Sequence, residues 1–173
     1  AYHHVKQTVP LLMGCGAALP ERLHWLRKDL GHYIEEEMGH EQWILDDITA
    51  CGGDAEQVRN GVPHISTELM VAYAWDTVHR GNPIGFFGMV LVLEGTSVAL
   101  ATQVAGALQQ SLKLPDNAFS YLRSHGALDV EHVDDLAGLI NRIDDQADLE
   151  VIERCANVFY HCYADVFRSV PLD

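Results

Sequence analysis

Apolar residues recur at spacings of three and four from one end of the chain to the other, and no stretch alternates apolar and polar residues as a half-buried strand would. A chain with that single periodicity can bury its apolar stripes only by packing helix on helix. Gly and Pro punctuate the pattern. The spacing predicts helices over 2–18, over 21–51 with Pro20 at its start and Gly52-Gly53 at its end, and over 54–60. Further helices are predicted over 63–79, 84–112, 117–141 and 147–167. The connections are a few residues long, which favours antiparallel neighbours. No internal repeat, low-complexity tract or linker divides the chain, so the expectation is an all-α bundle forming one domain over residues 1–173.

Composition narrows the trades open to such a bundle. The 173 residues are 48% apolar and 21% charged, enough apolar material for a sizeable core. Against 25 Asp and Glu stand only 11 Lys and Arg, giving a net charge of −14 and a pI near 4.9. A nucleic acid or an anionic membrane surface needs a basic face, so neither is an expected partner. The longest apolar run, 86–93, is closed by Glu94 well short of the ~20 residues a membrane span requires. The cysteines Cys15, Cys51, Cys155 and Cys162 form no C-x-x-C pair and fit reduced thiols of a cytoplasmic protein.

Six polar residues stand where core residues belong. In the 21–51 segment the inward stripe runs Leu23, Leu26, Leu30, Tyr33, Glu37, His40, Ile44, so Glu37 and His40 occupy positions suited to leucine. Glu35, Glu36 and Glu41 point elsewhere. The 117–141 segment repeats the anomaly, its stripe running from Tyr121 or Leu122 through His125, Asp129 and His132 to Leu136 and Ile140. Each helix thus carries a carboxylate three residues before a histidine, the spacing with which helical bundles hold di-metal centres. The sixth residue, Glu94, sits in Met89-Val90-Leu91-Val92-Leu93-Glu94-Gly95-Thr96-Ser97-Val98, apolar on most sides. An ionised carboxylate buried there costs several kcal/mol unless a cation accompanies it.

Any one of these residues could be an ordinary hydrogen-bonded core group, but six at ligand spacings on three helices point to a metal site. Three carboxylates and three imidazoles without a thiolate are not a tetrahedral zinc set; iron or manganese, as two ions, suits the mixed nitrogen and oxygen donors. Dioxygen chemistry favours iron, and a mixed Fe/Mn pair stays open.

The same residues resemble those of the haem-oxygenase-like di-iron oxidases, a superfamily that shares its helical fold with haem oxygenase and the TenA and PqqC proteins. The resemblance is carried by Glu37-Met38-Gly39-His40, by Glu94 in Val-Leu-Glu-Gly-Thr-Ser, and by His125-x3-Asp129-x2-His132, in that order and at similar separations. It implies a non-haem di-iron oxidase or oxygenase that activates dioxygen, with O2 as co-substrate, to oxidise a C–H or N–H bond of a small molecule such as a fatty acid or an amino acid. It also implies Glu37, His40 and His125 on one iron, Glu94, Asp129 and His132 on the other, and a bridging glutamate. Some relatives carry a carboxylate two turns before the helix histidine, where this chain has Tyr33, so the choice between Glu36 and Glu37 stays open. The fold further implies a helix ahead of Tyr2, and a homodimer is compatible with it.

Two other functions compete. A TenA-like hydrolase of thiamin-related compounds would use a thiol, with Cys155 or Cys162 as the nucleophile, and would leave the misplaced acids and histidines unexplained. A metal-binding regulatory protein would hold iron without turnover and lack substrate access. Phe86, Phe87, Met89, Leu93, Val98, Tyr73, Trp75, Phe159 and Tyr163 are possible walls of a substrate pocket, each more simply read as core. His3, His4, His24, His32, His64, His79 and His161 are given no role, and the acids at Asp46-Asp47, Asp134-Asp135 and Asp144-Asp145 read as solvated faces and turns.

Overall fold

The computed structural model describes residues 1–171, apart from the side chains of residues 127–131. All regular structure among the described residues is helical: α1 (Tyr2–Val5), α2 (Thr8–Ala18), α3 (Leu26–Glu37), α4 (His40–Ala50), α5 (Ala55–Asn60), α6 (Ile65–His79), α7 (Phe86–Leu112), α8 (Ser120–Ile140) and α9 (Gln146–Arg168). Short 3-10 turns at Glu21–Leu23, Pro83–Gly85 and Asp116–Ala118 lead into α3, α7 and α8.

Two of the predicted helices are broken in the structure. Residues 2–18 divide at Lys6 and Gln7 into α1 and α2. The 21–51 segment opens with a 3-10 turn and breaks again at Met38-Gly39, where Met38 is extended and Gly39 takes φ 95°. That left-handed conformation is open to glycine at little cost and strains other residues. Glu37 is therefore the last residue of α3 and His40 the first of α4, not two side chains on one continuous helix. The apolar run around Phe86, by contrast, does not stop at Glu94. Pro83–Leu112 is one helical stretch, long and apolar enough to cross a bilayer, but more than half of its 18-residue apolar window is buried inside the protein.

Helix α7 forms the centre of the bundle and packs against α8 and α9. Its apolar first half interlocks with Leu11, Leu12, Leu26, Met70, Ile152 and Phe159 in the main core. Contact with α9 is close at Gly88, where an added Cβ would lie 2.5 Å from the Ala156 nitrogen and 2.7 Å from the Ile152 oxygen.

At the start of α9 a polar cluster joins three segments. Arg22 donates from both terminal nitrogens to the fully buried Asp148, one bond at 2.9 Å, and Asn82 Nδ2 donates to the same carboxylate at 2.7 Å. The Arg22 guanidinium holds the Asp148 carboxyl below its ordinary value. Arg22→Ala leaves a buried carboxylate with one donor fewer and is expected to cost about 2 kcal/mol, reduced from the usual loss because Arg22 is half-exposed. For a domain of this size that is roughly 4–8 °C in melting temperature. A lowered folded-state pKa contributes stability above the unfolded value and loses it as pH falls through the folded one. The difference between variant and wild type should therefore be full at pH 7 and shrink in melts below pH 3.8, the ordinary carboxylate value.

Candidate metal centre

Each predicted residue whose side chain is described reaches one place from a different direction. Glu37 comes from the end of α3, His40 from the start of α4, Glu94 from the middle of α7, and His125 and His132 from two levels of α8. All five are between 4% and 7% exposed. Asp129 lies outside the described residues.

The five side chains form two ligand groups with one member in common. Ligand atoms of Glu37, His40 and His125 lie within 4.8 Å of one another, and so do those of Glu37, Glu94 and His132. His40 Nδ1 is 3.3 Å from Glu37 Oε2, and His132 Nδ1 is 3.8 Å from Glu94 Oε1. The break at Gly39 makes the first group possible, because it turns His40 back toward the carboxylate that closes the preceding helix.

Surrounding groups fix the imidazoles. His125 Nδ1 is 3.0 Å from the Tyr121 carbonyl, which can only accept. The proton therefore sits on Nδ1, which leaves the Nε2 lone pair available to a metal ion. Burial holds the His125 pKa below the ordinary value, opposed in part by the charge of Glu37, which favours the neutral ring that metal binding requires. Trp43 stacks on His40 at 4.2 Å, and His40 meets His125 edge to face at 4.7 Å. Tyr33 lies edge-on to His132 at 5.4 Å.

Glu36 and Glu37 have different surroundings. Glu37 belongs to both ligand groups. Glu36 is partly exposed and stands between His132 Nε2 at 3.5 Å and His32 Nε2 at 3.3 Å. His32, given no role in the sequence, thus pairs with a carboxylate one turn on.

The donor set fits iron. Two carboxylates held close together in a poorly hydrated interior repel each other, and divalent cations offset that repulsion. Oxygen and imidazole donors without a thiolate suit iron or manganese. Buried His40 Nδ1 makes no well-formed hydrogen bond, although Glu37 Oε2 lies 3.3 Å away, as expected of a nitrogen arranged for another purpose.

On one side of the centre lies an apolar cavity of about 140 Å³ bordered by Glu37, Glu94 and His125. Of the possible walls, each read more simply as core, Phe86, Met89, Leu93 and Tyr163 do line it, while Phe87 faces a second hollow beside His132. Val98, Tyr73, Trp75 and Phe159 are not among its described lining residues, and neither Cys155 nor Cys162 is. Cys155 is buried, with the Tyr73 hydroxyl donating to its sulfur at 3.4 Å, and burial pushes the Cys162 thiol up. These are poor surroundings for a nucleophile.

Asp47 was missed. The sequence reads it as solvated, yet its carboxylate caps the start of α8. The available signal was Phe119, which precedes α8 and has no side-chain acceptor for the first amides of that helix.

A family profile described as iron-containing redox enzyme matches residues 1–164. Among solved structures, the chain is similar to a domain of unknown function with a haem-oxygenase-like fold from Shewanella denitrificans OS217. The TM-score is 0.85 and the identity 24%, over 95% of this chain and 71% of that one. No curated protein matches the chain.

Proposed function

The chain belongs to the iron-containing redox enzyme family, and on that footing we propose that it is a non-haem di-iron, or Fe/Mn, oxidase or oxygenase that turns dioxygen on a small aliphatic substrate. The observation that carries this reading is the sharing of Glu37 between two buried ligand groups. Glu37 would bridge two ions, with His40 and His125 on one, and Glu94 and His132 on the other. Asp129 is assigned to the second ion on its sequence position alone. Iron held there would supply the electrons that reduce dioxygen and the oxidising power that attacks the substrate.

The chain's own residues bind and orient. Phe86, Met89, Leu93 and Ala101 give the cavity apolar walls that exclude water, and Thr8, Thr96, Ser97, Tyr121 and Tyr163 add hydroxyl groups. No Lys or Arg is among the described lining residues. Such a surface suits an aliphatic chain better than a zwitterionic amino acid. The second hollow, about 410 Å³, is the more polar side: His32, Glu36, Asp134 and Asp135 border it with His132, titratable groups able to relay protons.

The cavity also reaches the surface, which favours turnover over storage. Leu100, Val104 and Phe167 line it and are exposed, Leu100 at 47%. Leu100→Trp at this rim is expected to raise KM by about tenfold, equivalent to roughly 1.4 kcal/mol, with iron content unchanged. Steady-state kinetics on a responsive substrate together with metal analysis checks this.

Oxygen uptake by the Fe(II)-loaded protein tests the function itself, measured with medium-chain fatty acids and, separately, with amino acids. Iron-dependent uptake stimulated by the fatty acids supports the proposal. Uptake that no substrate stimulates, or a turnover that survives a strong chelator, contradicts it.

A further inference from the structure

We infer that Asp47 is a positioning residue for the metal centre: from the helix that carries His40 it grips the start of the helix that carries His125, and so sets the separation of the two imidazoles. Asp47 lies two turns beyond His40 on α4. Its Oδ1 accepts from the Ser120 amide at 2.9 Å and from the Ser120 hydroxyl at 2.5 Å, and its Oδ2 accepts from the Tyr121 amide at 2.9 Å. Tyr121 in turn offers its carbonyl to His125 Nδ1. The amide and the carbonyl of one residue, Tyr121, thus carry the carboxylate grip and the bond that fixes the imidazole.

The arrangement answers two needs. Helix α8 has no cap of its own, since Phe119 precedes it, and the positive end of a helix favours a carboxylate. Helix α4 starts at the Gly39 break and cannot inherit its direction from α3. A bond between its far end and α8 supplies that direction, and His40 at its first residue then meets His125 edge to face. An ordinary cap would stabilise α8 alone; this one crosses between the two helices whose histidines share a ligand group.

The inference rests on the metal reading of that group, and the test separates the two. Titration with Co(II), followed by its visible absorption, reports coordination in the wild type, Asp47→Ala, Asp47→Asn and Asp54→Ala. Asp54 caps α5 through the Gln57 amide and serves as a control for the loss of a cap. Asp47→Ala should weaken one Co(II) step by about 10- to 100-fold and alter its spectrum. Asp47→Asn, which keeps one acceptor oxygen, should fall between, and Asp54→Ala should match the wild type. Imidazole nitrogen NMR of the metal-free proteins gives an independent readout: His125 should be a single Nδ1–H tautomer in the wild type and a mixture in Asp47→Ala. Wild-type affinity and spectrum in Asp47→Ala, or an equal loss in Asp54→Ala, overturns the inference. If the wild type takes up no Co(II), the metal reading fails, and an unchanged His125 tautomer in Asp47→Ala then overturns the positioning role as well.

Discussion

Glu37→Gln is expected to empty both metal positions at once, whereas Glu94→Gln should empty one. The difference follows from geometry, because Glu37 belongs to both ligand groups and Glu94 to the second. Changes to groups that merely hold a ligand already cost roughly 10- to 100-fold in affinity, so losing the shared carboxylate should cost at least about 100-fold at each position. The amide is isosteric, so no cavity opens, and it lacks the negative charge that two cations share. It also removes one of two carboxylates whose ligand atoms lie within 4.8 Å, where like charges repel. Metal-free Glu37→Gln should therefore melt above the wild type at pH 8 while failing to bind Mn(II) in calorimetric titration. A melting temperature that falls would mark Glu37 as a structural group instead.

Gly88→Ala should be the most damaging single methyl addition in the core. Its Cβ would meet backbone atoms of α9, Ala156 N and Ile152 O, which cannot turn aside as a side-chain tip can. Because α7 carries Glu94 and α9 lines the substrate cavity, separating the two helices also disturbs the site. Overpacking of this kind costs about 3 kcal/mol, or roughly 6–12 °C in a domain of this size. Gly95→Ala on the same helix meets nothing within 4 Å and should be neutral or stabilising by up to about 1 kcal/mol. Thermal melts of the two metal-free variants side by side separate backbone crowding from a general effect of glycine replacement.

The pattern of apolar spacing was enough to read the helices, because each buries one stripe and the stripes survive local breaks. The break at Gly39 was not legible. Strong helix formers flank it, a single interior glycine is tolerated in helices, and the three-residue step from Glu37 to His40 would have faced inward on an unbroken helix too. Glu37, His40, Glu94, His125 and His132 were visible as polar residues in apolar stripes, since ionisable side chains are rarely buried and stand out there. Asp47 and Trp43 were not, because their partners come from other helices: Asp47 reaches the amides of α8 and Trp43 also meets His125, while Glu36, left open as the alternative to Glu37, meets His132. Helix α7 was legible over its whole length, but its apolar stretch was cut short at Glu94 for a related reason. A charged residue reads as the end of an apolar run, whereas here it is the side chain that the surrounding helices enclose.

The central claim is that two metal ions share Glu37. Metal-free protein loaded anaerobically with isotopically enriched Fe(II), freed of loose metal by gel filtration, can be counted by elemental analysis and examined by Mössbauer spectroscopy. The account predicts two irons per chain with nitrogen and oxygen donors, one after Glu94→Gln and none after Glu37→Gln. Wild-type protein that retains no iron, or iron that survives Glu37→Gln, would contradict it.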